Sequence, residues 1–345
     1  LEFRRVLFRS FDNLFLKIKM KWLVIFALAC LAPALAWDWD EDSPLDEYLD
    51  IVDPGLPTWE EDDELFFDGC RVKIYNFSSL IWEDETWSSA STWWHYLIVF
   101  FPHLDELNYN EDAIYWVEGK DNDDPLPNAT DAALPFSCLL ANQSGAAVSL
   151  IRMVPNQPIV YVHDEDQEEV FDTKNIAMTW RWALDNNNEQ PERLIQYPMV
   201  KAADKGLDVF HDVLQLEYPN SDIDEFTVGG RNAQGLIAWL LACTDPRVRF
   251  VVPLSSSLIN VVENLHTHHQ SLGGWSWVLR EFWWLDIMDE LDTPLFDAIM
   301  DPIDPYNYLP RLTMPKLMVA AVGDEMFLVD DSHVYYEDLP EPKFK

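Results

Sequence analysis

Positive charge is scarce in this chain: 23 Lys and Arg stand against 61 Asp and Glu, a net charge of −38 over 345 residues. Such a surface repels nucleic acid and anionic membrane, so neither is expected as a partner, and high solubility or a cationic partner fits instead. Past residue 36 no apolar run approaches the roughly 20 residues that a bilayer requires, which argues against a membrane anchor. The stretch Trp37–Glu64 has no Lys or Arg at all and no EF-hand spacing, so it reads as an acidic, extended N-terminal arm over 37–64. Its PLDEY segment, Pro44–Tyr48, is the part suited to dock. Nowhere does Gly-x-Ser-x-Gly occur, which removes the usual setting of a serine nucleophile. Only four cysteines are present.

The opening LEFRRVLFRS reads as a translated sequencing adapter, so residues 1–19 are set aside from the fold as an assembly artefact. From Met20 the order is Lys21, an apolar run Trp22–Leu31 and the small-residue site Ala34-Leu35-Ala36, which is the pattern of a secretory signal peptide over 20–36. A secreted, extracellular protein is therefore expected. Removal of that segment takes Cys30 and leaves Cys70, Cys138 and Cys243. Cys243 falls on an apolar helix as a buried free thiol, so Cys70 and Cys138 are the candidate disulfide by elimination. Sequons at Asn76, Asn128 and Asn142 suit a secreted glycoprotein.

The organising stretch is Glu225–Cys243, EFTVGGRNAQGLIAWLLAC, a short strand, a glycine-bearing turn and an apolar helix. In α/β-hydrolases such an elbow carries the nucleophile. Asn232 takes the nucleophile-equivalent place, framed by Gly229, Gly230 and Gly235. Asparagine tolerates the positive φ of that turn, but its carboxamide is a poor nucleophile. Around the elbow the pattern gives strands at Arg71–Phe77, Trp94–Phe101, Ala113–Val117, Ser149–Val154, Pro158–Val162, Arg247–Leu254 and Lys316–Val322. Helices fall at Asn175–Leu184 and Met199–Leu216. The alternation predicts an α/β-hydrolase-like domain over 65–345: a mostly parallel sheet, helices on both faces, and a helical aromatic cap inserted at about 255–300. Glu118-Gly119-Lys120 follows a strand and offers either an oxyanion hole or an ordinary turn.

Ordered motifs then carry a family resemblance. They are VPNQP at Val154–Pro158, YPMVKA at Tyr197–Ala202, DPRV at Asp245–Val248, GGWSW at Gly273–Trp277, DPYNYLPRLTMPK at Asp304–Lys316 and VGDEMFLVDDS at Val322–Ser332. From about Pro44 to Lys345 the chain resembles the PhoPQ-activated pathogenicity-related proteins, which include an autocrine proliferation repressor. The resemblance implies a Gly-x-Ser-Lys-Arg-Gly elbow where this chain has Gly230-Arg231-Asn232-Ala233-Gln234-Gly235. It places the triad acid at Asp324 and the histidine beyond Lys345, so the C-terminus reads as truncated.

The remaining candidates each have a plainer reading. Ser255–Ser257 follow a strand end but lack an elbow, and they read as a polar loop. His266, His268 and His269 lack the Cys or carboxylate partners of a zinc site, so no metal and no cofactor is expected. His333 comes too soon after Asp324 to be the base. Trp275, Trp277, Trp283 and Trp284, with His268 and His269, form the candidate ligand cleft or else a packed seam under the cap; a glycan-binding face is a weaker option. The reading is a secreted, catalytically inactive hydrolase relative whose partner is an extracellular protein, receptor or small ligand. The alternative is a secreted esterase or peptidase.

Overall fold

The computed structural model describes residues 42–102, 112–128, 130, 131 and 133–345. The adapter-like stretch and the leader, residues 1–36, lie outside the described residues.

A single sheet runs through the domain. Its strands are β1 (Thr58–Phe67), β2 (Cys70–Ile81), β3 (Thr92–Phe101), β4 (Asp112–Val117), β5 (Val148–Ile151), β6 (Glu225–Arg231), β7 (Val248–Leu254), β8 (Lys316–Leu317) and β9 (Lys343–Phe344). Their spatial order is β1-β2-β3-β5-β4-β6-β7-β8-β9. The pairings from β1 to β5 are antiparallel, and those from β5 through β9 are parallel. The helices are α1 (Pro44–Leu49), α2 (Ala133–Ser144), α3 (Asp172–Asp185), α4 (Gln196–Glu217), α5 (Ala233–Thr244), α6 (Val261–Leu272), α7 (Arg280–Trp284) and α8 (Pro294–Met300). In α4 the residues Val200, Ala203, Leu207, Phe210 and Leu214, spaced three and four apart, are all fully buried, so that helix is held by one continuous apolar stripe. Cys70 at the start of β2 is bridged to Cys138 on α2, and Cys243 is a buried free thiol.

The acidic arm is corrected by the structure. Its PLDEY segment is helical: Ser43 accepts from the Asp46 N–H while the Asp46 carboxylate accepts from the Ser43 N–H, a capping box that starts α1. Leu45 and Tyr48 are buried. Three contacts fix the segment to the core: Lys201 Nζ reaches Asp53 at 2.7 Å, the same amine donates to the Ile51 carbonyl at 2.7 Å, and Arg311 pairs with Asp46 at 2.8 Å. The boundary at residue 64 falls inside β1, an edge strand that turns back into β2 through Asp68-Gly69, both at positive φ (44° and 87°). Asp-Gly is the pairing that a two-residue hairpin turn demands. The acidic composition of β1 is compatible with a sheet because none of its side chains is buried, charged side chains suit an edge strand, and Lys73 pairs with its Glu61 at 2.8 Å.

Two expected strands are also revised. Pro158–Val162 makes only isolated bridges, Ser88 with Tyr161 and Ile159 with Val170; a proline in the run removes a ladder donor. Lys316–Val322 shrinks to β8 plus one bridge from Leu254 to Val319, and Val322 stands 93% exposed. The helix α2 had no counterpart in the sequence reading.

Candidate functional site

β6 delivers the chain into the elbow. Asn232 lies at φ 57° and ψ −123°, outside the helical region, and α5 begins at the next residue. Its N–H donates to the Leu254 carbonyl at 3.0 Å and its carbonyl accepts from Gly235 N at 3.0 Å, so the turn is pinned to β7 on one side and to α5 on the other. The three glycines are steric necessities. A Cβ on Gly229 would lie 2.2 Å from the Trp116 ring, one on Gly230 2.4 Å from the Gln234 carbonyl oxygen, and one on Gly235 2.5 Å from Ser256 Cβ.

Asn232 borders a cavity of about 740 Å³, well within the range of small-molecule sites. Glu118, Gly119 and Lys120 at the end of β4 line it, as do Ala233 and Gln234 of α5, Ile176 and Trp180 of α3, and Gln196 and Met199 of α4. The cap contributes Leu258, Val261, Phe282, Met300 and Ile303, and the loop after β8 contributes Met326 and Phe327. The wall is mainly apolar. Gln234 Nε2 donates to the Val154 carbonyl at 2.8 Å, and a Cβ on Gly119 would be 3.1 Å from the same nitrogen, so this side chain ties the VPNQP turn to the elbow. Behind the wall the buried Arg152 donates to Glu118 at 2.7 Å and to Asp131 at 2.6 and 2.8 Å, which holds the end of β4 in place.

Asp324 sits in the loop after β8, where its Oδ1 accepts from the N–H groups of Met326 (3.0 Å) and Phe327 (2.9 Å). Its carboxylate thus shapes the loop that supplies Met326 and Phe327 to the cavity. None of the described histidines lines the cavity. His95 is buried against Ser79 (2.8 Å) and the carbonyls of Arg152 and Met153, and burial pushes its pKa down to about 4. His333 contacts the Asp330 carbonyl at 2.7 Å. Ser256 reaches the cavity wall; Ser257 instead donates to Asp331 at 3.2 Å, away from it.

The six residues of the expected ligand cleft lie elsewhere. Trp277, Trp283 and Trp284 pack edge to face on one another with Arg280 over two of the rings, and Trp277 and Trp284 remain 60% and 53% exposed. Trp275 packs on His269, and His268 is buried on α6. The aromatic wall comes from Trp116, Phe136, Trp180, Phe282 and Phe327. Phe282 lies on the same short helix as Trp283 and Trp284, and consecutive helical residues point to different faces, so a one-position difference takes a side chain out of the cavity wall. Among the described residues no group of three His, Cys, Asp or Glu is placed to hold a metal, and no helix is long and apolar enough to cross a membrane. Of the sequons, Asn128 is exposed, Asn76 lies within β2 opposite Glu60 and Tyr96, and the Asn142 amide donates to the Asp68 carbonyl at 3.3 Å.

Two polar side chains of the wall were missed by sequence reasoning. Among the described residues Gln196, 1% exposed, has a partner for neither amide atom, and buried Trp180 Nε1 has no acceptor. The residues just before them are joined, Ile195 N donating to Thr179 Oγ1 at 3.4 Å, and both side chains border the cavity. An unpaired buried amide costs about 1–3 kcal/mol. Gln196→Leu is therefore expected to raise the stability of the unliganded protein by that order, measured by urea unfolding; a loss of stability would show that the amide is satisfied.

A mostly parallel sheet, a strand-turn-helix elbow at positive φ and a cavity over that elbow define an α/β-hydrolase-fold protein. Acetyl xylan esterase from Paenibacillus sp. R4 superposes with a TM-score of 0.60 at 15% identity, covering 92% of this chain and 90% of that one. Acetyl xylan esterase 1 from Thermoanaerobacterium sp. JW/SL YS485 does so at 0.55 and 13%, covering 87% and 83%. Residues 45–344 match the PhoPQ-activated pathogenicity-related protein family, and the chain belongs to it. Autocrine proliferation repressor protein A of Dictyostelium discoideum is 28% identical over 320 residues, 92% of this chain and 61% of that protein's length.

Proposed function

We propose that this protein is a secreted α/β-hydrolase-fold protein without hydrolytic activity, which acts outside the cell as a binding or signalling protein in the manner of a proliferation repressor. The observation that carries the reading is Asn232 at the elbow: the turn keeps the backbone of a nucleophile elbow while presenting a carboxamide to the cavity. A nucleophile must be activated by an adjacent base, and a carboxamide offers no proton whose removal yields a competent one. Secretion is supported by the leader-like segment Met20–Ala36, the sequons and the Cys70–Cys138 bridge, which suits an oxidising compartment. Similarity to the Dictyostelium repressor supports signalling.

The wild-type protein is expected to remain unlabelled by a fluorophosphonate probe under conditions that label an active serine esterase. Labelling at any residue would overturn the inactive reading and identify the nucleophile. The second reading, a secreted esterase or peptidase of the same family, draws on the intact elbow backbone and on Ser256 in the cavity wall. Intact-mass analysis after probe treatment separates the two.

A further inference from the structure

The cations of this chain are few, and almost all of those described are engaged by carboxylates. Lys316 and Lys345 donate to carbonyl oxygens. Lys120 and Arg231 have no ion pair among the described residues, both are exposed, and both line the cavity over the elbow. Lys120 is held at φ 104°, a strained position for a residue with a side chain. Asp131, which feels the Lys120 charge, is occupied by Arg152. Of the carboxylates in the cavity wall, Glu118 is likewise paired with Arg152, and Asp172 accepts from Gln157 at 3.2 Å. α5 begins two residues after Arg231, and the N–H groups of Ala233 and Gln234 in its first turn, which border the same cavity, have no acceptor within the helix. These donors and the positive end of the helix dipole favour an anion at the elbow. Asn232, uncharged, does not oppose one. The rest of the wall is apolar.

We infer that the cavity binds an organic monoanion: an apolar chain carried among Ile176, Met199, Phe282 and Ile303, with a carboxylate head at the elbow between Lys120 and Arg231. This rests on the binding reading of the same cavity and adds the ligand class. A hydrolase would release such an acid as product; here, with no nucleophile at the elbow, the acid is held as a ligand. In a protein of net charge −38, two unpaired cations at one cavity are a local reversal of sign, and that reversal sets head-group specificity.

The test uses sodium dodecanoate and dodecanol, both below their aggregation limits, titrated calorimetrically into the full chain. Dodecanoate is expected to bind at least about tenfold tighter than dodecanol, the size of one charge-assisted contact. In K120Q/R231Q that preference is expected to vanish, with dodecanol affinity and the thermal melt unchanged because both side chains are exposed; K120R/R231K restores it. Equal binding of acid and alcohol to the wild type, an undiminished preference in the double variant, or no binding of dodecanoate overturns the inference. Absence of dodecanoate binding from a chain that also resists fluorophosphonate removes the ligand class and leaves the inactive reading standing. A labelled chain that binds dodecanoate does the reverse.

Discussion

Gly230→Ala is expected to destabilise the protein by about 3 kcal/mol or more and to abolish ligand binding, whatever the ligand. The added Cβ would stand 2.4 Å from the Gln234 carbonyl oxygen, 2.6 Å from its carbon and 3.0 Å from Gly235 N. All three are backbone atoms in the first turn of α5, so no side-chain rotamer relieves the clash. Relief requires the helix to back away from β6, which separates Asn232 from its hydrogen bond to Leu254 and moves the N–H groups that border the cavity. Gly229→Ala provides a comparison: its Cβ meets the Trp116 ring at 2.2 Å, but that obstacle is a side chain. Urea unfolding of both variants is the measurement, with Gly230→Ala expected to be the more damaged. The reverse order would show that the elbow backbone yields more readily than the aromatic packing.

Asp304→Ala is expected to cost about 3 kcal/mol and to loosen the cap. Its carboxylate, fully buried, accepts from Val261 N at 2.7 Å, Tyr306 N at 3.0 Å and Asn260 N at 3.1 Å, so one side chain starts α6 and the turn at Pro305–Arg311 together. Removal leaves three donors without an acceptor, and the neighbouring Val261 and Ile303 both border the cavity. Burial raises the Asp304 pKa to about 6 even though those donors favour the charged form. Its folded pKa is thus above the unfolded value of about 3.9, so the folded state binds the proton more tightly. The resulting stability is fully present below pH 4 and is lost as the pH rises through about 6. Asp304→Asn, which cannot titrate, is expected to lose less stability than wild type between pH 4 and 7, by on the order of 2 kcal/mol. Chemical unfolding at a series of pH values reads that difference; parallel curves would place the titration elsewhere.

The elbow was legible in the sequence because its requirements are local. A strand, a positive-φ residue and glycines at fixed offsets leave a short signature, and Asn232 with Gly229, Gly230 and Gly235 meets it. The long apolar stripe of α4 was equally plain from spacing. What escaped was decided between distant segments. The acidic β1 has no alternating apolar pattern because neither of its faces is buried, so its place in the sheet depends on the Asp68-Gly69 turn and on Lys73, not on hydrophobicity. The DPYNYLPRLTMPK motif was visible as a motif, but its Asp304 function as a staple required knowing that Asn260 and Val261 lie against it.

The sequence by itself determined the fold class, the family and the asparagine at the elbow, since each follows from residue identity and near-neighbour spacing. Only the tertiary structure decided which aromatic residues form a cavity. Trp283 and Trp284 pack on each other outside it, whereas Phe282, beside them in sequence, and Trp180, about a hundred residues earlier, share the cavity wall. It also brought Lys120 and Arg231 to one cavity and, among the described residues, left Gln196 without a partner. The physical reason is that burial and charge pairing are properties of what surrounds a side chain, and those surroundings here come from strands and helices far apart along the chain.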